Sequence, residues 1–508
     1  MSLSHNNWSW AGKSLVPHDL PEGWFVTQLK EVVTSRKGKK PKRVEDAMWV
    51  DSLPYVDIEA FEKGRVRRYA GVDSSTVAEE GDILVVWDGA RCGLTGKAPS
   101  RGVVGSTLVT IEPFLIHPEY VFRFLQACFR TINSNPRGIG IPHVDPEIFW
   151  GLELPVPPRE EQKRIVAKAH QLLARVNAVS DRLAKVQKIL KRVRQAALAA
   201  ACSGMLTKDW REDHPNDEAR SLLARAVQAC RESGQRWTDD SGQPEDDFEV
   251  PSNWVVSRMR TLTNLITSGS RGWAKYYADS GPLFIRAQDI RTDELNLALV
   301  AHVNPPRGAE GTRTRVEGND LLVTITGANV TKSALVRRPM DEAYVSQHVA
   351  LVRPALPELG GWLHLWVVSP VHGRKQLIDA AYGAGKPGLN LDSIRDVLVA
   401  LPPLQEQVEI LRRVNALLEL SEIIERRLGA AAVWAERLPQ AILAKAFSGE
   451  LVATEAELAR AAGRDYESAK VLLDRIRKER ANPIAPTKGR RAASTKGPRG
   501  RRSAVLDR

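Results

Sequence analysis

Cysteine is scarce in this chain. The four present, Cys92, Cys128, Cys202 and Cys230, are scattered, and no two form a Cys-x-x-Cys pair. That spacing argues against a zinc site and against a disulfide framework, so a reduced, cytoplasmic protein is expected. No hydrophobic run approaches the length of a membrane span, and the N-terminus lacks an apolar signal core. A glycine-rich cofactor loop following a strand is missing as well. Gly383-Ala384-Gly385-Lys386 has neither the spacing nor the Ser/Thr of a phosphate loop. Cysteine-nucleophile, Ser-His-Asp and His-rich metal patterns leave no local signature. These gaps point away from catalysis within the chain and from any metal or cofactor of its own.

Positive charge and length are abundant. The chain has 508 residues and a formal net charge of +12. Three or four folding units are expected at that length, and the charge suits an anionic partner, nucleic acid or a membrane surface. Hydrophobic residues make up 43%, enough for real cores.

One stretch, residues 157–206, is long and periodic, and it is free of Gly and Pro from residue 159 to residue 203. Ile165, Leu172, Val179, Val186 and Val193 fall seven apart, and Ala169, Val176, Leu183, Leu190 and Ala197 interleave with them. That is an a/d heptad seam, with Lys, Arg, Gln and Asp on the other faces. At ~1.5 Å per residue such a helix runs roughly 65 Å and needs a partner to cover its seam. A matching stretch returns 245 positions later, without a gap, as residues 402–451. Pro157-Pro158 becomes Pro402-Pro403, Glu161-Gln162 becomes Glu406-Gln407, and Ser203-Gly204 becomes Ser448-Gly449. Its own seam reads Ile410, Leu417, Ile424, Ala431, Leu438 and Val414, Ser421, Leu428, Ala435, Ile442. Two matched seams in one chain predict an intramolecular coiled coil. It is antiparallel if a pseudo-twofold axis relates the halves.

The expected order along the chain follows. Residues 1–20 form a lead-in and residues 21–156 an α+β domain with strand-like runs and one helical patch from Pro118 to Phe129. The first long helix (157–206) leads to a polar linker (207–250) with a short helix near Asp217 to Glu232 and an acidic, turn-rich run to Glu249. A second α+β domain spans 251–401. Its opening, Pro251-Ser252-Asn253-Trp254, echoes Pro21-Glu22-Gly23-Trp24, and Gly327-Ala328 echoes Gly89-Ala90. The second long helix (402–451), a C-terminal helix (452–480) and a disordered basic tail (481–508) complete the chain. The offset between the domains drifts from 230 to 238 before reaching 245, so the domains carry insertions that the helices do not.

Polar surface suited to DNA is the remaining chemistry. In the first domain Arg36, Lys37, Lys39, Lys40, Lys42 and Arg43 crowd one loop able to neutralise phosphates, with Arg65, Arg67, Arg68 and Arg91 adding charge. A solvated basic loop is the alternative reading. In the second domain Ser270, Arg271, Gly272, Trp273, Lys275 and Tyr276 combine close backbone approach with side chains that bond or stack on bases. Next, Phe284 to Asp289 alternates as a strand and would turn Arg286 and Gln288 to one face, Arg to fork onto guanine and Gln onto adenine. The alternative places Trp273 and the tyrosines in the core. Asn304-Pro305-Pro306-Arg307 is similar to the Asn-Pro-Pro-aromatic loop of adenine methyltransferases, but Arg stands where the aromatic belongs. An ordinary turn is expected there.

Two variable α+β domains, each followed by a matched long helix opening Pro-Pro-x-x-Glu-Gln, resemble the specificity subunit of type I restriction–modification systems. The motifs are Leu154 to Gln162, Leu401 to Gln407, Leu438 to Val452 and the openings at Pro21 and Pro251, and the likeness covers nearly the whole chain. The resemblance implies two target recognition domains, each reading half of a split DNA sequence, with paired helices that set the gap. It implies docking of two methyltransferase subunits through Pro157, Pro158, Glu161, Gln162, Pro402, Pro403, Glu406 and Gln407. Those partners would bind S-adenosylmethionine and methylate adenine. A separate motor subunit would use ATP and Mg to translocate and cut DNA. Three departures stand out. Pro439 interrupts the second helix, where a kink is expected. The first domain lacks a Ser-Arg-Gly-Trp loop. The basic tail lies beyond the shared motifs. Two rival readings remain open: a methyltransferase in its own right, and a coiled-coil scaffold whose charge serves solubility.

Overall fold

The computed structural model describes residues 19–72, 75–138, 140–215, 217–234, 249–306, 312–383 and 387–481. The lead-in through residue 18, most of the acidic run and the tail from residue 482 lie outside them. The chain is α+β and divides into two compact units. One is built from both chain ends, Met1–Asp181 with Val433–Arg508; the other is Arg182–Ala432.

Each unit has a four-stranded antiparallel sheet. In the first we label β1 (Val33–Lys37), β2 (Ile83–Val86), β3 (Thr95–Lys97) and β4 (Leu108–Pro113), hydrogen-bonded in the order β1-β4-β2-β3. In the second, β5 (Thr263–Ser268), β6 (Leu321–Thr324), β7 (Ser333–Leu335) and β8 (Val349–Pro354) take the order β5-β8-β6-β7, the same topology. The central strands β2 and β6 are buried on both faces and read as apolar runs, Ile-Leu-Val-Val and Leu-Leu-Val-Thr. A short parallel pairing recurs too, Tyr55 with Val103 and Phe284 with Tyr344.

The long helices are α1 (Arg159–Cys202) and α2 (Leu404–Phe447), both 44 residues. Within the first unit, Ile165 and Leu173 of α1 share a core with Leu443, Ala446 and Phe447 of α2. Within the second, Ala201 and Cys202 share a core with Ile410 and Val414. The start of each helix meets the end of the other, so they pack antiparallel. Helix α2 is unbroken through Pro439. Each ends at a left-handed glycine, Gly204 (φ 74°) and Gly449 (φ 80°). A Cβ there would lie 2.6 Å from Pro251 Cγ and 2.3 Å from Pro21 Cγ respectively. Only glycine serves both needs: the backbone turn and the close approach of a domain's opening proline.

The expected seam is narrower in the fold. The set Ala169, Val176, Leu190, Ala197 is buried, as are Val414, Ser421 and Ala435. Val179, Val193, Leu417 and Leu438 of the other set are exposed. A pair of helices covers one stripe of each, and the other set is covered only near the helix starts, where Ile165 and Ile410 enter the cores.

Two further expectations change. The linker is more than polar connector: its helix Ala219–Glu232 buries Leu222, Ala226 and Cys230 in the second unit's core. The single C-terminal helix is two, Glu455–Ala462 and Ala469–Ala481, parted at Gly463 (φ 59°). The second of these buries Leu472, Leu473 and Ile476 in the first unit. The two added helices are anchored alike. Ala219 N–H donates to Asn253 O at 3.0 Å, and Ala469 N–H donates to Gly23 O at 3.0 Å. The last described helix thus does for the first domain what the linker helix does for the second.

Candidate nucleic-acid interface

In the first unit Arg36 and Lys37 close strand β1 and stand exposed, followed by exposed Lys39, Lys40, Lys42 and Arg43. Lys37 Nζ lies 3.1 Å from Asp88. Arg43 pairs with Glu45 at 2.7 Å and covers the Trp49 ring at 4.5 Å. Arg91 is ion-paired with Glu62, Arg67 with Glu59 and Arg68 with Asp57. With Asp46 and Arg65, the last four line a polar cleft of about 320 Å³. The charge there is largely balanced in place, so the remaining positive field comes mainly from Arg36, Lys39, Lys40 and Lys42.

The second unit corrects part of the expected reading set. Trp273 is buried, stacked 5.6 Å from Phe284 and tilted 5.1 Å from Tyr344, and belongs to the core. Around it Arg271, Gly272 and Lys275 are exposed; Lys275 Nζ sits 4.9 Å over the half-buried Tyr276 ring. Ser270 is half-buried beside them. The strand expected through Asp289 ends at Ile285, and Ala287–Asp289 form a 3-10 turn. The reason is local: the Asp289 carboxylate accepts from the Arg286 backbone at 2.8 Å and from its guanidinium at 3.0 and 3.1 Å. Arg286 also donates to Leu299 O at 2.7 Å. With its amide oxygen toward the guanidinium, Gln288 accepts from Arg286 at 3.1 and 3.2 Å. Arg286 and Gln288 do meet, but the arginine fork is spent on holding this turn. Asn304 donates its backbone N–H to Tyr276 O at 2.8 Å and stands exposed at the end of a strand, as a turn residue would.

The two loops prove to be equivalent, which the sequence reading missed. Lys37 pairs with Val109 and Val109 with Val85; Ser268 pairs with Ala350 and Ala350 with Val323. Gly38 therefore matches Gly269. A Cβ on either would lie 2.0 Å from a backbone oxygen, Gly105 O or Val345 O. The first domain's counterpart of the Ser-Arg-Gly-Trp loop is the Lys39–Arg43 loop. Only the shared glycine, one residue beyond the strand, marked it.

The eight residues expected to dock partners are all buried. Glu161 accepts from Trp24 Nε1 at 2.9 Å and from Glu455 N–H at 2.8 Å. Burial, opposed by these donors, raises its pKa above the usual carboxylate range. Glu406 accepts from Trp254 Nε1 at 2.8 Å, from Thr207 Oγ1 at 2.7 Å and from the Arg211 guanidinium. Gln162 and Gln407 donate to Pro157 O and Pro402 O at 3.0 and 2.8 Å. Each Pro-Pro-x-x-Glu-Gln is thus an internal clasp. It ties a helix start to a domain's opening tryptophan and to the segment that follows the other helix. A buried carboxylate demands such donors, and no partner can reach it. Apart from Val408, beside the second clasp, the exposed large apolar residues of the helices lie elsewhere: Ile189, Val193, Leu417, Leu420 and Ile423 in one unit, Val179, Val433, Trp434 and Leu438 in the other.

All four cysteines are free and buried, and among the described residues no cluster of metal-ligating side chains occurs. No described helix is long and apolar enough to cross a membrane.

Comparison with known proteins agrees with this architecture. The family model for the type I restriction modification DNA specificity domain matches residues 21–188. The Type I restriction enzyme EcoBI specificity subunit of Escherichia coli is 27% identical, covering 91% of this chain and 93% of that protein. The EcoKI specificity subunit of Escherichia coli strain K12 is 26% identical, covering 91% and 96%. Among solved structures, a chain from work on complex assembly and conformational transition of the type I R-M system aligns at TM-score 0.62 and 20% identity. It covers 85% of this chain and 100% of that one. The HsdS subunit from Thermoanaerobacter tengcongensis aligns at TM-score 0.50 and 21% identity, covering 85% and 99%. The shared sheets, the matched helices and these likenesses converge: over nearly its whole length the chain is similar to the DNA specificity subunits of type I restriction–modification systems, and residues 21–188 match that family's DNA specificity domain.

Proposed function

We propose that each β-rich domain reads one half of an asymmetric, bipartite DNA target, and that α1 and α2 set the distance between the halves. The observation that carries this is the repetition of one sheet topology on two sequences, β1-β4-β2-β3 and β5-β8-β6-β7. Two diverged copies of one frame suit an asymmetric site while keeping twofold geometry for two identical partners. Base contacts come from the loops after β1 and β5, with Arg36, Lys39, Lys40, Arg271 and Lys275 on phosphates or base edges. Arg286 and Gln288 support the turn beside them.

Two adenine methyltransferase subunits dock on the exposed apolar faces of α1 and α2, not on the buried clasps. Exposed Trp434, Leu420 and Ile423 are what a helical partner would cover. S-adenosylmethionine belongs to those partners, and ATP with Mg to a motor subunit. Mapping methylated adenines in host DNA with and without this gene tests the reading. A single split motif that vanishes with the gene is expected. A methylation pattern that does not depend on the gene would overturn it.

A further inference from the structure

The backbone frame shared by the two domains continues around one edge of each sheet. Gly89 N–H donates to Pro142 O at 2.8 Å, and Gly327 N–H to Pro387 O at 3.0 Å. Val144 N–H donates to Trp87 O at 2.8 Å, and Leu389 N–H to Ile325 O at 2.8 Å. Arg137 and His143 exchange both backbone bonds, as Tyr382 and Gly388 do. Asp145 and Asn390 then cap matching helical turns. These bonds align the edge residue by residue. Lys37 matches Ser268, Asp88 matches Thr326, and His143 matches Gly388.

The frame is repeated; the side chains on it are not. In the first domain they form a cluster. Asp88 lies 3.1 Å from Lys37 Nζ and 2.7 Å from His143 Nδ1. The Lys37 and His143 side chains are 52% and 47% exposed, while Asp88 is 19% exposed behind them. The second domain has two small hydroxyls and a glycine at the same three places. A cluster needed to hold the fold would be required in both copies, because the backbone it would support is the same. A cluster that differs on a constant frame fits recognition of something that differs between the two halves.

We infer that Lys37, Asp88 and His143 are specificity-determining residues of the first domain and read a G·C base pair through the major groove. This rests on the proposal that each domain reads half of a DNA target. The chemistry selects the pair. Asp88 fixes Lys37 and holds the half-exposed imidazole by Nδ1. The lysine donors not taken by Asp88 match the O6 and N7 acceptors of guanine. Adenine and thymine present an amine and a methyl group where guanine presents only acceptors.

The test uses the full chain with its methyltransferase partner. Lys37→Ser, Asp88→Thr and His143→Gly together install what the second domain carries on the same frame; Asp88→Asn alone is the milder variant should the triple fail to assemble. Methylated motifs are mapped for each. Expected is relaxation at one G·C position in the first domain's half, discrimination there falling about ten- to a hundredfold, with the other half unchanged. An unchanged motif overturns the inference, as does relaxation at an A·T position. If methylation by the wild-type chain has no sequence preference at all, the underlying specificity reading fails instead.

Discussion

At the residue scale, buried charge sets the most testable features. Glu406 is fully buried and leans on Arg211, Thr207 and Trp254. Arg211→Met leaves that carboxylate without its cation and should cost about 3–5 kcal/mol in unfolding free energy. Trp254→Phe removes one donor to it and should cost about 1–3 kcal/mol. Urea denaturation followed by far-ultraviolet circular dichroism checks both; equal, small losses would mean the clasp is dispensable. His364 behaves oppositely. Burial, with repulsion from Arg337, holds its pKa at about 4 against an ordinary 6.5, and its Nε2 is shut away without a hydrogen-bond partner. The unfolded chain therefore takes up the proton first. Stability is whole above pH 6.5 and falls as pH drops toward 4, by up to roughly 3 kcal/mol. His364→Phe should flatten that slope between pH 7.5 and 5, which denaturation at the two pH values will show.

At the element scale, the proposed DNA contacts and the proposed partner docking fall on separate elements, the loop after β1 and the outer faces of the helices. Lys39→Ala with Lys40→Ala should weaken binding to all DNA sequences alike. The slope of log K against log salt should fall by ~0.9 for each phosphate that the variant no longer neutralises. An unchanged slope would assign this loop to solvent. On α2, Leu420 and Ile423 are exposed though apolar. Leu420→Glu with Ile423→Glu should leave the melting curve of the isolated chain nearly unmoved yet abolish co-purification of the methyltransferase. Retention of the partner would move the docking face elsewhere.

At the scale of the whole molecule, strict helix length against variable domains is the constraint to explain. If the helices act as a ruler, seven residues inserted between Ala184 and Lys185, with seven between Gly429 and Ala430, keep the buried stripe in register. They add roughly 10 Å at ~1.5 Å per residue, or about three base pairs of B-DNA. The half-site sequences should persist while the gap between them lengthens. Four residues instead would turn the stripe away from its partner and should block assembly. Methylation mapping decides; altered half-sites with an unchanged gap would mean the helices do not set the spacing.

The sequence by itself determined the repeat, the two equal helices and the basic character of the first domain's loop. These are local properties. Apolar periodicity is written in neighbours three and four residues apart, and charge adds without regard to fold. The seam was legible to within one stripe, because packing chooses which apolar face a two-helix contact covers. Tertiary structure alone decided what the repeated Glu161 and Glu406 do. Their donors, Trp24, Glu455, Trp254 and Arg211, come from far along the chain, and only folding made a clasp of what read as a docking motif. It also decided that Lys39–Arg43 matches the loop at Ser270, since that equivalence passes through strand pairings. The meeting of Lys37, Asp88 and His143 was invisible for the same reason. Strand register is a long-range choice, fixed by which faces bury together, and no short stretch of sequence contains it.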